Sequence, residues 1–433
     1  MACLTLFAFV AGITAQSIIA PSATFSLLPR ATDDYFGGFA SDGGAGGFVP
    51  QWNMTMFSIS DGSQCNSRHF NNLTEPNDCT FPVHTGYAMI DYQDPSKLVV
   101  VGNYSGRGSQ YQPGVGAFWQ GTGGLVLWDS KVDPKSGITD PTRFGPAPHT
   151  SAINIPGNST GMLNVWGVHN DKSAFDAQYV FTTMFEMNWI GDANALNYFY
   201  NQVPTQRIVP VLFNVTAVST IMITSGSMLT AGRGSEASTY FYLWEGDSTG
   251  WKIARAPWAT RRDTTTYSFW HASGSSSDKR TGWVKNAPLH RNADAWGNVY
   301  NFTNFKDNNA NTEIGFWGQD IRWVDRFQTY IITFQPQPGY DLYVQHSLTG
   351  LITGPYSNPV NLAPTTLDPQ CQKAGSDLPL TDFAQVHWDY YGVNSNKTLV
   401  SYISCTNFQS MGVLTWTNGY NNYPSPAKSY RGP

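Results

Sequence analysis

Charge is what this sequence has least of. Lys, Arg, Asp and Glu make up 13% of its 433 residues, and the aromatic residues, at 14%, outnumber them. Ordinary soluble domains carry roughly 25% charged residues. Glutamate is scarcer still, since Glu75, Glu186, Glu236, Glu245 and Glu313 are the whole set. Lysine is also sparse, so the side chains that usually decorate the solvent faces of helices are missing, and few helices are expected. A formal charge of −5 without a basic stripe excludes a nucleic-acid partner, which would need cations to release counterions from phosphates. Disorder is excluded too, because it requires high charge and few aromatics.

Long apolar runs are absent as well. None approaches the roughly 18 residues of a bilayer span, so no membrane span is expected. The run Leu4 to Ala11, followed by Gly12-Ile13-Thr14-Ala15, is short and ends on a small residue, so residues 1–15 read as a signal peptide, although they lack Lys and Arg. The alternative is a buried N-terminal strand. Residues 16–32 are expected to be poorly structured, 33–417 to form the folded body, and 418–433 to be a polar tail with no lipid-anchor signal. Cys3 would leave with the leader, and Cys65, Cys79, Cys371 and Cys405 remain as an even set that permits three pairings. Cys65–Cys79 and Cys371–Cys405 are favoured because each closes a local loop, worth about 3 kcal/mol. Seven N-x-[ST] sequons, at Asn53, Asn72, Asn103, Asn158, Asn214, Asn301 and Asn396, fit surface turns of a secreted, extracellular glycoprotein.

What is present is β periodicity. Short alternating or β-branched runs bounded by Gly, Pro, Asn or Asp recur, among them residues 87–92, 97–103, 178–184, 208–215, 239–243, 321–324, 329–334, 342–346, 399–404 and 411–416. A weak repeat punctuates them: Phe118-Trp119-Gln120-Gly121 leads to Trp128, Leu243-Trp244-Glu245-Gly246 to Trp251, and Phe316-Trp317-Gly318 to Trp323. Aromatic and Gly punctuation once per sheet fits the blades of an all-β propeller, whose sheets bury both faces against neighbours. A two-domain β-sandwich is the competing architecture.

The second half adds a resemblance. Residues 321–334, then Asp341-Leu342-Tyr343-Val344-Gln345-His346-Ser347 and Gly354-Pro355-Tyr356-Ser357-Asn358-Pro359, resemble one blade of the five-bladed β-propeller glycoside hydrolases of the arabinanase and furanosidase type. Val386-His387-Trp388-Asp389-Tyr390 with 399–404 resembles their closing blade, and 227–235 with 239–244 resembles another. The likeness implies a funnel at the propeller axis with one acid as nucleophile or base, another as general acid, and an Asp that tunes them. The acid of the first blade would correspond to Asp33 or Asp34, with no motif to support the correspondence.

Glycoside hydrolysis needs two carboxyl groups of unlike pKa across the anomeric carbon. Glu245, in a Gly-Asp-Ser-Thr-Gly turn, reads as solvated, and Glu75 as peripheral. Glu186 lies among Phe185, Met187 and Trp189, where apolar neighbours would raise its pKa as a general acid requires; a strand-end Glu paired with an Arg is the alternative. Glu236 follows Gly232-Arg233-Gly234-Ser235, where Arg233 would hold it ionised or where it is an ordinary turn residue. Glu313 opens the blade-like segment, and Asp320 precedes its first strand. These four are the candidate catalytic residues. Trp189, Trp270, Trp317 and Trp388, with Arg322 and His387, are candidate substrate contacts, although most tryptophans and histidines in such a fold belong to blade cores.

Two motifs are decoys. Gly157-Asn158-Ser159-Thr160-Gly161 has the letters of a nucleophile elbow but reads as a sequon in a turn. In Asp307–Glu313, Thr312 occupies the glycine position of a calcium-binding loop, which excludes an EF-hand and leaves room only for a looser structural calcium site. No His/Cys spacing suggests zinc, so no metal or cofactor is expected. The sequence thus points to a secreted, monomeric glycoside hydrolase-like propeller whose partner is cell-wall carbohydrate. Its rivals are a lectin-like propeller with shallow repeated sites and a structural cell-surface protein.

Overall fold

The computed structural model describes residues 16–28, 32–33, 38–40, 47–49, 54–65, 79–90, 94–95, 97–101, 144–147, 152–158, 161–170, 178–188, 205–214, 228–247, 250–274, 279–285, 298–302, 315–337, 341–362, 382–403 and 409–421. Strands dominate them; the helical turns among the described residues are three 3-10 stretches, Gly234–Ser238, Trp258–Thr260 and Thr264–Thr266. This follows from the shortage of strong helix formers noted above.

The strands form five sheets that follow one another along the chain. The first uses residues 32–101, the second 144–214, the third 228–301, the fourth 315–361, and the fifth 382–416. Neighbouring strands pair antiparallel except for Thr32–Asp33, which runs parallel to Lys97–Val101. In the fourth sheet the order is Gly315–Val324, Thr329–Gln337, Tyr343–His346, Val360–Asn361, a simple meander. Each sheet touches the next: Cys79–Ile90 meets Phe144–Ala147, Ala152–Asn154 meets Met228–Ala231, Met228–Ala231 meets Gly315–Val324, and Gly315–Val324 meets Asp382–His387. Gln409–Trp416 of the fifth sheet then touches Gly38–Ala40 of the first, so the sequence of contacts returns to its start.

Side-chain alternation explains how a sheet serves two neighbours. Successive residues of a strand point to opposite faces. In the fourth sheet Ile321, Tyr330, Ile332 and Phe334 pack against Tyr242, Trp244, Trp251 and Ile253 of the third. Val324, Ile331 and Val344 pack the other way, against Ala384, Val386, Trp388, Val400 and Leu414 of the fifth. Each fully buried side chain of this kind is worth about 1.5–3 kcal/mol. One polar bond crosses the first of these cores, from Trp251 Nε1 to Gln345 Oε1 at 2.7 Å, fully buried.

One expectation is corrected here. Residues 16–32 are not a poorly structured segment throughout, because Ala23–Leu27 pairs with Gln409–Trp416 along its whole length and completes the fifth sheet. The physical reason is Phe25, which packs into the core shared by the fourth and fifth sheets and lies over Gly412, where a side chain would collide with its ring. Nor is the tail beyond 417 detached at its start. Asn418 Nδ2 donates to the Ala20 carbonyl at 2.6 Å, and Tyr420 Oη to that of Ser17 at 3.0 Å. Residues 1–15, Cys371 and Cys405 lie outside the described residues.

The register of the first sheet places Cys65 directly opposite Cys79, and directly opposed Cα atoms in antiparallel strands lie about 4.5–5.5 Å apart, within the span a disulfide accepts. Peptide mapping without reduction is expected to recover these two cysteines in one linked peptide; recovery of both as free thiols would refute the pairing. Gly412→Val should displace Phe25 and lower stability by about 1–3 kcal/mol, read as a drop in Tm.

Candidate active site

Asp320 is a fully buried carboxyl group on a strand of the fourth sheet. It lies on Gly315–Val324, the strand that contacts both the third and the fifth sheets. A register shift falls between Trp317 and Asp320, where one extra residue sits opposite the partner strand. Such bulges re-aim the side chains that follow. Here the shift leaves Asp320 opposite Thr333, on the face turned to the fifth sheet, while Ile321 faces the third. The carboxyl is 1% exposed. Its Oδ1 accepts the Ile321 N–H at 2.8 Å and lies 3.3 Å from Arg322 Nη1. Across the strand pair the Thr333 hydroxyl is buried with no hydrogen-bond partner.

Burial and the charges around it set the proton affinity of Asp320. Removal from water raises its pKa, Arg322 lowers it, the field of Asp389 raises it again, and the Ile321 N–H lowers it slightly; the result is a value pushed up to about 7. A carboxyl group at that value exchanges its proton near neutrality, which suits acid–base chemistry. Asp389 was missed by the reading of the sequence, although it follows Trp388 directly; only the packing of the fifth sheet on the fourth brings it within the field of Asp320.

The other candidates are placed differently. Glu186, on Gln178–Asn188, is gripped by Arg261 Nε, at 2.5 Å from its Oε1, and by Arg262 Nη2, at 2.9 Å from its Oε2. Burial tends to raise its pKa, but the two guanidinium groups outweigh that and hold it below the ordinary 4.5. The expected general acid with a raised pKa is therefore corrected to an ionised carboxylate that ties the second sheet to the third. Glu236 is exposed in the 3-10 turn Gly234–Ser238 and accepts the Tyr242 hydroxyl at 3.0 Å. It acts on Tyr330, which faces the third sheet, so the fourth sheet stands between Glu236 and Asp320. Glu313 and Trp189 lie outside the described residues, and Trp317 is placed by its backbone alone.

Among the expected substrate contacts, Trp388 is buried and stacks on Trp416, with centroids 5.4 Å apart. His387 is also buried, shares a 2.7 Å bond with Ser401, and has its pKa pushed down to about 3 by burial. Both are core residues, not open platforms. Arg322 attends Asp320 as described. Trp270 is partly buried and meets Trp283 edge-on. Among the described residues no group of three or more metal-binding side chains gathers, and no helix is long and apolar enough to cross a membrane. Asn158, Asn301 and Asn396 are exposed, as glycan acceptors must be.

No family profile matches the chain, and no curated protein is similar in sequence. Solved structures are similar in shape. A protein of Bacteroides ovatus, provisionally described as a hydrolase, superposes with a TM-score of 0.54 at 13% identity, covering 90% of this chain and 93% of that one. A family 117 glycoside hydrolase of Zobellia galactanivorans gives 0.42 at 10% identity, covering 95% and 98%. The catalytic domain of a Coprinopsis cinerea family 62 α-L-arabinofuranosidase gives 0.38 at 10%, covering 94% and 99%. The first of these likenesses is one of fold.

Glu186→Ala is expected to leave two guanidinium groups without their carboxylate and to cost about 1–3 kcal/mol. Because its pKa is lower in the folded protein, the contribution of Glu186 is complete above the ordinary 4.5 and is lost as pH falls through the lower folded value. Denaturant melts of both proteins at pH 7 and pH 3 check this, the gap between them narrowing at pH 3.

Proposed function

We propose that the chain is a secreted, monomeric five-bladed β-propeller that hydrolyses glycosidic bonds in cell-wall polysaccharide, with Asp320 as its proton-transferring carboxyl group. The returning order of sheet contacts and the strand Ala23–Leu27, which joins the fifth sheet from the other end of the chain, support the blade count. The single observation that carries the chemistry is the burial of Asp320 beside Arg322 and within the field of Asp389, which raises its proton affinity. Two carboxyl groups of unlike environment are what glycoside cleavage needs. Asp320, deeply buried, is the member that holds a proton near neutrality and gives it to the departing glycosidic oxygen; Asp389, half-buried, supplies the second carboxyl group. Exposed sequons and the short apolar leader support secretion and glycosylation.

A non-catalytic, carbohydrate-binding propeller is the second reading. It is favoured by the engagement of Glu186 with arginines and of Glu236 with a tyrosine, which leaves Asp320 without glutamate company among the described residues.

Asp320→Asn separates the two. The native protein retains a proton on Asp320 that the unfolded chain releases above the ordinary 3.8, so wild-type stability declines as pH rises from about 4 to about 7. The amide removes that decline, so the variant should gain in Tm relative to wild type at pH 8 and change little at pH 4. Reducing-sugar release from a panel of plant and microbial wall polysaccharides should fall by about 10²–10⁴-fold in the same variant. Equal rates, or no release by the wild type on any polymer, would remove the hydrolytic reading in favour of the binding one.

A further inference from the structure

On the opposite side of the fourth sheet from Asp320, the seam with the third sheet carries cations among aromatic rings. The Arg255 guanidinium lies 4.3 Å from the centroid of Trp283 and 4.5 Å from that of Tyr240. Arg233 lies 3.9 Å over Trp323. Tyr240, Trp270, Trp283 and Trp323 are all partly buried against the core of this seam. The register Tyr242↔Arg255↔Ser268↔Lys285 runs across four strands and puts exposed Lys285 on the same face as Arg255, two strands away. Adjacent strands are about 4.8 Å apart, so the two cations are spaced at roughly 10 Å.

Among the described residues no ion pair holds these cations. The ion pairs of the described residues join Arg261 and Arg262 to Glu186, and Arg322 to Asp320. None involves Arg233, Arg255 or Lys285. Glu236 is one acid at this place, and it accepts the Tyr242 hydroxyl, which in turn lies beside Arg255. Asp325 accepts the Trp323 indole N–H at 2.7 Å, so in a protein with more acids than bases three cations against two carboxylates still leave a local excess of positive charge. Arg255 also shares a hydrogen bond with the Tyr242 hydroxyl, and a guanidinium fork has donors enough to receive a carboxylate as well.

We infer that this seam is a binding site for a carboxylate-bearing sugar, a uronate unit of an acidic polysaccharide. A uronate carries a carboxylate and an apolar C–H face on one rigid ring, so Arg255 or Arg233 meets the first while a neighbouring aromatic meets the second. An acidic peptide offers the carboxylate on a flexible stem without the ring face, and ordering that stem costs entropy. The site does not depend on hydrolysis at Asp320.

The test is affinity electrophoresis and calorimetry of the full-length secreted protein at 0.15 M salt. The probes are polygalacturonate, its fully methyl-esterified form, poly-glutamate and dextran sulfate. Polygalacturonate should bind at least tenfold more tightly than the ester and than poly-glutamate. Arg255→Gln and Arg233→Gln should each weaken it at least fivefold. Should Arg255→Gln fail to fold, Arg233→Gln and Lys285→Gln, both at exposed positions, carry the same expectation. Asp320→Asn should bind like the wild type, so loss of turnover and loss of this site are read separately. Absence of polygalacturonate binding, binding indifferent to the arginine variants, or equal or stronger binding of poly-glutamate or dextran sulfate would overturn the site, the last by showing general attraction of anions or an acidic-peptide surface.

Discussion

Each central sheet of this protein has two faces to hide and little charge with which to leave either in water. That constraint governs the architecture. In the fourth sheet one set of alternate residues, Ile321, Ile332 and Phe334, is buried by the third sheet, and the other set, Val324, Ile331 and Val344, by the fifth. A strand in that position cannot show the polar–apolar alternation of a half-exposed sheet; both parities must be apolar or carry a polar group with a specified purpose. Aromatic rings meet the demand well, because edge-to-face contacts such as Trp244 with Tyr356 and Trp251 with Phe334 fill the wedge between sheets.

Against that background the polar exceptions acquire meaning. Gln345 is buried and held by Trp251, so its role is to tie sheets together. Asp320 is buried with one guanidinium, one backbone N–H and a second carboxyl group in its field, a combination that leaves the proton undecided near neutrality. Glu186 has the reverse setting, two cations and partial exposure, and is ionised. Two acids in similar-looking apolar stretches of sequence thus end in opposite states, because deep burial dominates at Asp320 while two arginines from the neighbouring sheet dominate at Glu186.

That contrast shows how much was legible in the chain. The strands were: the runs 178–184, 329–334 and 411–416 fall inside the observed Gln178–Asn188, Thr329–Gln337 and Gln409–Trp416, since local alternation and turn residues are written in the order of residues. The all-β class was legible for the same reason, but the strand expected to begin after Asp320 begins at Gly315 and carries Asp320 within it. The partners of Glu186 were not, because Arg261 and Arg262 lie more than seventy residues away, on the far side of a sheet boundary. Asp389 and the stacked Arg255 were hidden likewise, the first by the docking of two sheets and the second by a cross-strand register no local pattern reveals. The N-terminal strand was overlooked because Ala-Thr-Phe-Ser-Leu is too short and too weakly alternating to announce itself without its partner.

That strand also dictates an order of events. Residues 23–27 pair with residues of the strand 409–416, and Ser26 and Val413, bonded across that pairing, are 387 residues apart. Until that pairing forms, the fifth sheet lacks its outer member and Gln409–Trp416 presents an open edge. Contacts so distant in sequence are slow to form, and an open sheet edge invites pairing with other molecules. The fifth sheet is complete only when these two segments have met, so losing Ala23–Leu27 would leave Gln409–Trp416 as a bare edge.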